Sequence, residues 1–222
     1  SARPPSPVCS RTSATAGIQP LVIKGGKIAL NASDLTLAPT SMLDVSGGVA
    51  ISSTGKLAYA DAGAISRAAG VDSQSGLAVV GGGLNMTGAT LRGFAGVGKN
   101  GGSLSLQAPA ILINEPADGQ VVTTDIAGKL SLAPEFFGNG GFETFSLTGL
   151  GVALDKGGSL GDAQTAIAVA RGTVLSPMSQ NWASLPGGPV YLAPEGIRGP
   201  VNLTLKTVGP LTDINHDELG NS

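Results

Sequence analysis

"LRGFAGVGKNGGSLSL", residues 91–106, can be read in two ways, and the choice decides the fold. Gly93, Gly98 and Lys99 fit the first seven places of the phosphate-loop pattern G-x-x-x-x-G-K-[ST]; Gly96, Gly98 and Gly101 fit G-x-G-x-x-G. A phosphate loop needs a buried strand before it, a helix after it, and Ser or Thr behind the Lys to hold Mg²⁺. Here Asn100 follows Lys99, then come Gly101, Gly102 and "SLSL". Paired glycines break a helix at the very turn whose dipole would hold the phosphates, and apolar–polar alternation is a strand signal. With 35 glycines in 222 residues, such pattern matches arise by chance. The stretch is a turn leading into a strand.

The same signal recurs on both sides. Apolar–x–apolar triplets occur at 28–30 (IAL), 35–37 (LTL), 43–45 (LDV), 49–51 (VAI) and 57–59 (LAY). They continue at 77–79, 84–86, 104–106, 111–113, 130–132, 145–147, 167–169 and 190–192, ending in VNLTL 201–205. Gly, Asn, Asp, Ser and Pro fill the gaps, and these are turn residues. One window, "GDAQTAIAVARG" 161–172, carries helix-end signals at Asp162 and Gly172, yet its IAV alternates equally well. "GKIALNA" 26–32, "GKLAYA" 55–60, "GGSLSLQAP" 101–109 and "GKLSLAP" 128–134 vary one phrase at intervals between about 17 and 40 residues, a spacing typical of stacked repeats. Short strands, tight turns and few aromatics predict an all-β chain, specifically a right-handed parallel β-helix with irregular loops.

Composition supports this. Apolar residues are 41% and aromatics only 4%, so Val, Ile, Leu and Ala fill a thin core. Charged residues are 13%, the net charge is −2, and no basic run exceeds two residues. That argues against nucleic acid and against a charged membrane surface as partners. No apolar run reaches the length that spans a bilayer, so no membrane insertion is expected. Cys9 is the sole cysteine, which leaves no internal disulfide. The opening "SARPPSPVCSRTSATAG" has no initiator Met and no apolar leader core, as expected of a fragment or a processed product.

The predicted layout is a disordered Pro/Ser-rich tail over 1–17 and a parallel β-helix over 18–175. A Pro/Gly-rich loop segment over 176–200 follows, then a final strand and polar terminus over 201–222. Eight to ten layers of about 20 residues would make a rod about 40–50 Å long. Two segments break the rhythm. "PEFFGNGGFETF" 134–145 holds Phe136, Phe137, Phe142 and Phe145, and 176–200 holds Trp182. One reading has their rings covering the rod's flank. The other makes Phe136, Phe137, Phe142 and Trp182 a surface recognition patch, because aromatics are enriched where proteins bind partners.

The stretches 25–48, 101–113 and 140–151 resemble filamentous haemagglutinin-type exoproteins, the exported members of two-partner secretion systems in Gram-negative bacteria. The resemblance covers about residues 20–205 and rests on phrasing and period. It implies a β-helical rod exported through an outer-membrane transporter and displayed at the cell surface or secreted. Such a rod acts as an adhesin towards host or neighbouring cells, glycans included, or as a stalk for a distal module. The secretion-domain motif N-P-N-G and a toxin module are both missing from this chain.

Catalytic signals are sparse. Asp213, Asn215 and Asp217 alternate as in a calcium loop, but Glu218 stands where that loop needs Gly, so a solvated terminus is the favoured reading. The acids are scattered singly, whereas glycoside hydrolysis needs two carboxylates facing each other. No cofactor and no enzymatic role are expected. A polysaccharide lyase or hydrolase is the alternative, since stacked layers can join distant residues.

Overall fold

The computed structural model describes residues 22–70, 83–115, 119–124, 128–154, 160–163, 165–184, 190–193 and 199–208. Among these the chain is all-β, with a short 3-10 turn at Pro134–Gly138 and 3-10 geometry again at Gly119. Strands come in successive groups. The first holds β1 (Lys27–Asn31), β2 (Leu35–Thr36), β3 (Met42–Asp44) and the hairpin β4 (Val49–Ile51)/β5 (Leu57–Tyr59). The second holds β6 (Ala64–Ala68), β7 (Leu84–Asn85) and β8 (Thr90–Arg92). The third holds β9 (Gly102–Ala108), β10 (Ala110–Ile113), β11 (Val122–Thr124) and β12 (Lys129–Leu132). The fourth holds β13 (Phe142–Gly149), the hairpin β14 (Val152–Leu154)/β15 (Leu160–Ala163) and β16 (Ile167–Val169). After β17 (Met178–Ser179), β18 (Trp182–Ser184), β19 (Val190–Leu192) and β20 (Gly199–Pro200) comes β21 (Asn202–Thr207).

The first strand of each group joins one five-stranded sheet in the order β1-β6-β9-β13-β21, and every neighbouring pair is parallel. Parallel neighbours need a crossover connection; here strands of other sheets supply it in place of helices. β2 pairs with β7 and β3 with β8, both parallel, while β10 lies parallel between β12 and β16. The strands of the main sheet start at residues 27, 64, 102, 142 and 202. The first three intervals are nearly equal and the last is longer. Among the described residues this sheet has five strands, fewer than the eight to ten layers expected from the triplets, because successive triplets fall on different sheets. At about 4.8 Å per strand the main sheet is about 20 Å across, shorter than the expected rod.

Register turns the alternation into columns. Ile28, Ile65, Leu104, Phe145 and Leu203 align across the five strands on the inward face, followed two residues on by Leu30, Arg67, Leu106, Leu147 and Leu205. Between them Ala29, Ser66, Ser105, Ser146 and Thr204 form an outward column of small and hydroxyl side chains. β9 reads strictly buried, half-buried, buried along its length. Leu130 and Leu132 of β12 stack on Ile111 and Ile113 of β10 as the facing wall, and Thr124 Oγ1 donates to the Leu84 carbonyl at 2.7 Å, tying β11 to β7. These walls enclose one core of Leu, Ile, Val and Phe.

The window 161–172, where alternation competed with helix-end signals, holds the end of β15 and all of β16, and Gly172 turns at φ 83°. Within 176–200, β17 pairs antiparallel with β20 and β18 with β19, so the described part of this segment is a nested hairpin rather than loop. That insertion accounts for much of the longer last interval. The tails 1–17 and 209–222 lie outside the described residues.

Candidate functional site

The aromatic residues of 134–145 gather inside. Phe137 and Phe145 are fully buried, Phe142 is 1% and Phe136 8% exposed. Their rings meet edge to face: Phe137–Phe145 at 5.3 Å, Phe136–Phe145 and Phe142–Phe145 each at 5.8 Å. This is the offset geometry aromatic quadrupoles favour. Phe145 enters the cluster as a member of the inward column; Phe142 reaches it because a bulge between Phe142 and Thr144 shifts the register of β13 against β9. The 3-10 turn, with Pro134 at its start, swings Phe136 and Phe137 under them. The apolar core of this structure takes the rings of Phe136, Phe137 and Phe142, the residues read above as a surface recognition patch.

Trp182 is placed differently. Its half-buried ring lies flat on Phe94, with centroids 6.0 Å apart and planes 17° from parallel. The backbone holds it there: Trp182 N–H donates to the Ala95 carbonyl at 2.9 Å, and Ala95 N–H donates to Asn181 Oδ1 at 3.1 Å. Asn181 Nδ2 in turn donates to Glu143 Oε1 at 3.0 Å. The nested hairpin is thus pinned onto the loop between β8 and β9.

That loop is the stretch with phosphate-loop spacing. Gly98 has φ 71°, and Lys99 N–H closes a turn on the Gly96 carbonyl at 3.1 Å. A Cβ on Gly96 would run into the Tyr59 ring. Asn100 N–H donates to Asp61 Oδ1 at 3.1 Å, while Asp61 Oδ2 pairs with Lys24 Nζ at 3.5 Å. The Asn100 hydrogen bond, helped by Lys24, holds the Asp61 carboxyl below the usual carboxylate range. The Lys99 and Asn100 backbone donors serve the fold, and β9 follows directly.

Beside the ring cluster lies a cavity of about 270 Å³. Met86, Leu104, Val122, Phe136, Phe142 and Phe145 wall it, and Arg92 and Asn139 also line it. Sequence reasoning did not find it, because its walls come from four strands, a 3-10 turn and the loops beside them. The nearest signal was the density of Phe in 134–145.

One buried group stands apart. Arg67 is 1% exposed, and among the described residues its three guanidinium nitrogens find no hydrogen-bond partner. Burial alone pushes its pKa down to about 10.

Asp213, Asn215 and Asp217 lie outside the described residues. Among the described residues, no group of three or more His, Cys, Asp or Glu side chains could hold a metal ion, and no helix is long and apolar enough to cross a membrane. The strand arrangement defines an all-β protein built on stacked parallel strands. No protein-family model matches the chain, and no curated protein or solved structure does either.

Proposed function

We propose that this chain is a segment of a right-handed parallel β-helical shaft in a filamentous haemagglutinin-type exoprotein. The shaft is exported through an outer-membrane transporter, is secreted or displayed at a Gram-negative cell surface, and mediates attachment or carries a distal module. The observation that carries the reading is the five-stranded sheet whose strands follow chain order and are all parallel. A chain that returns to one sheet after visiting others builds a stack layer by layer. The edge strand β21 leaves Leu205 41% exposed, so the inward column is open to a further layer.

Two measurements test the proposal. The parent reading frame should be several times longer than this chain, open with a secretion domain and lie beside an outer-membrane transporter gene. Beads coated with the purified chain should attach saturably to host or neighbouring bacterial cells, and beads coated with an inert protein should not. A short frame together with release of unsaturated or reducing ends from polyuronides would replace the shaft by a polysaccharide lyase or hydrolase.

A further inference from the structure

The main sheet ends on β1 at one side and on β21 at the other. Neither end closes the core: Ile28 and Leu203 pack against it while only partly buried, and Leu205 is 41% exposed. β16 lies beside β21 at the edge of its own sheet and leaves Val169 46% exposed. The polar groups of the two edges are in phase. Val208 N–H donates to the Gly149 carbonyl, and successive residues of a parallel strand turn to opposite edges, so Leu203 and Leu205 direct their N–H and C=O away from β13. Ala32 N–H donates to the Ala68 carbonyl, which by the same alternation leaves Ala29 and Asn31 facing away from β6. Among the described residues, no strand pairs with either outer edge.

β1 and β2 also repeat an element that the molecule already docks. "GGKIALNASDLTL" 25–37 has the pattern of "GGSLSLQAPAILI" 101–113, with seven positions from Ile28 to Leu35 and from Leu104 to Ile111. The second copy of this pattern sits on β6: Ser103 N–H donates to the Gly63 carbonyl, and the Gln107 carbonyl accepts from Ala69 N–H. Leu104 there stands against Ile65. The equivalent edge of β1 is free. We propose that it takes β21 of a second copy of this chain, so that copies join head to tail. The inward column then continues, with Leu203 against Ile28 and Leu205 against Leu30 of the second copy, while β16 approaches its β2. In this register Asn202 faces Lys27 and Lys206 faces Asn31, so no like charges meet. The two surfaces differ, and a head-to-tail contact that does not close gives open filaments. Exposed strand edges are templates for such pairing. The junction needs only the two edges and stands independently of the shaft reading.

Sedimentation equilibrium of the full chain tests it. The weight-average mass should at least double between about 1 μM and about 100 μM. Ala29→Pro removes an N–H from the free edge of β1 and leaves its bonds to β6 in place, since proline is tolerated where a strand's N–H faces solvent. Leu205→Lys sets a charge against Leu30 of the second copy. Each variant alone should stay monomeric at the upper concentration. An equal mixture should form dimers and nothing larger, because each variant keeps the edge that the other has lost. Should Ala29→Pro lose its β-type far-UV spectrum, Asn31→Lys blocks the same edge by facing Lys206, and that block should fade in high salt. A wild-type chain that stays monomeric, self-association of either folded variant alone, or a mixture that stays monomeric overturns the proposal.

Discussion

Arg67 on β6 stands in register against Leu106 on β9, and against Leu30 on β1 on its other side, so a guanidinium interrupts an otherwise apolar inward column. A buried ion costs several kcal/mol of hydration, which is recovered only where acceptors surround it, and among the described residues no acceptor reaches Arg67. Replacing it with leucine makes the column continuous. Arg67→Leu should therefore raise the unfolding free energy by about 1–4 kcal/mol with an unchanged urea m-value. A loss of stability would mean that the guanidinium has an acceptor in the folded chain.

The same residue gives a pH signature. Burial pushes Arg67 down to about 10, so above that pH the unfolded chain holds its proton more tightly than the folded one. Stability rises with pH wherever the unfolded state binds more protons. The penalty is fully present below about 10 and fades as pH climbs from there towards the ordinary arginine value. Melting curves at about pH 8 and about pH 11 should show the advantage of Arg67→Leu over the wild type shrinking. A constant gap would show that charge is not what Arg67 costs.

Arg67 also shows where the sequence was legible. The triplets at 104–106, 111–113 and 145–147 became strands whose outer members point into the core. The two-residue period survives because one face of the main sheet stays open to solvent. β6 was not visible as a triplet: in "AISRA" an arginine occupies the second inward place, and only the register of neighbouring strands reveals its direction. The Phe residues of 134–145 were noticed but their direction was not, since a bulge and a 3-10 turn, which carry no periodic signal, set it. The cavity is tertiary throughout: Met86 and Phe145 share it across 58 intervening positions.

Phe145 and Trp182 separate core from surface among the aromatics. Phe145 touches three other rings and is fully buried, so Phe145→Ala should cost about 3–5 kcal/mol. Trp182 has one face on Phe94 and is half-buried, so Trp182→Ala should cost less than half as much. Urea unfolding of the two variants checks the order. Equal losses would mean that the nested hairpin is as integral to the fold as the core.

Gly63 and Gly26 come from one tight corner, yet they should respond oppositely to the same change. A Cβ on Gly63 would meet the backbone of Gly25 and Gly26, where the chain enters β1, and main chain held by ladder hydrogen bonds cannot step aside as a side chain can. Ala64 N–H donates to the Gly26 carbonyl at 3.0 Å and Gly63 N–H to the Val45 carbonyl at 2.7 Å, so opening the corner strains both bonds. Gly63→Ala should lose stability towards the upper end of the about 1–3 kcal/mol that overpacking costs. A Cβ on Gly26 would meet nothing within 4 Å, and its φ is not positive. Gly26→Ala should thus be neutral, or gain about 0.4–1 kcal/mol from a less flexible unfolded chain. Chemical unfolding of the two variants side by side decides the point. If Gly63→Ala proves neutral, β1 and β6 do not approach as closely as their register requires, and the corner before β1 is packed differently.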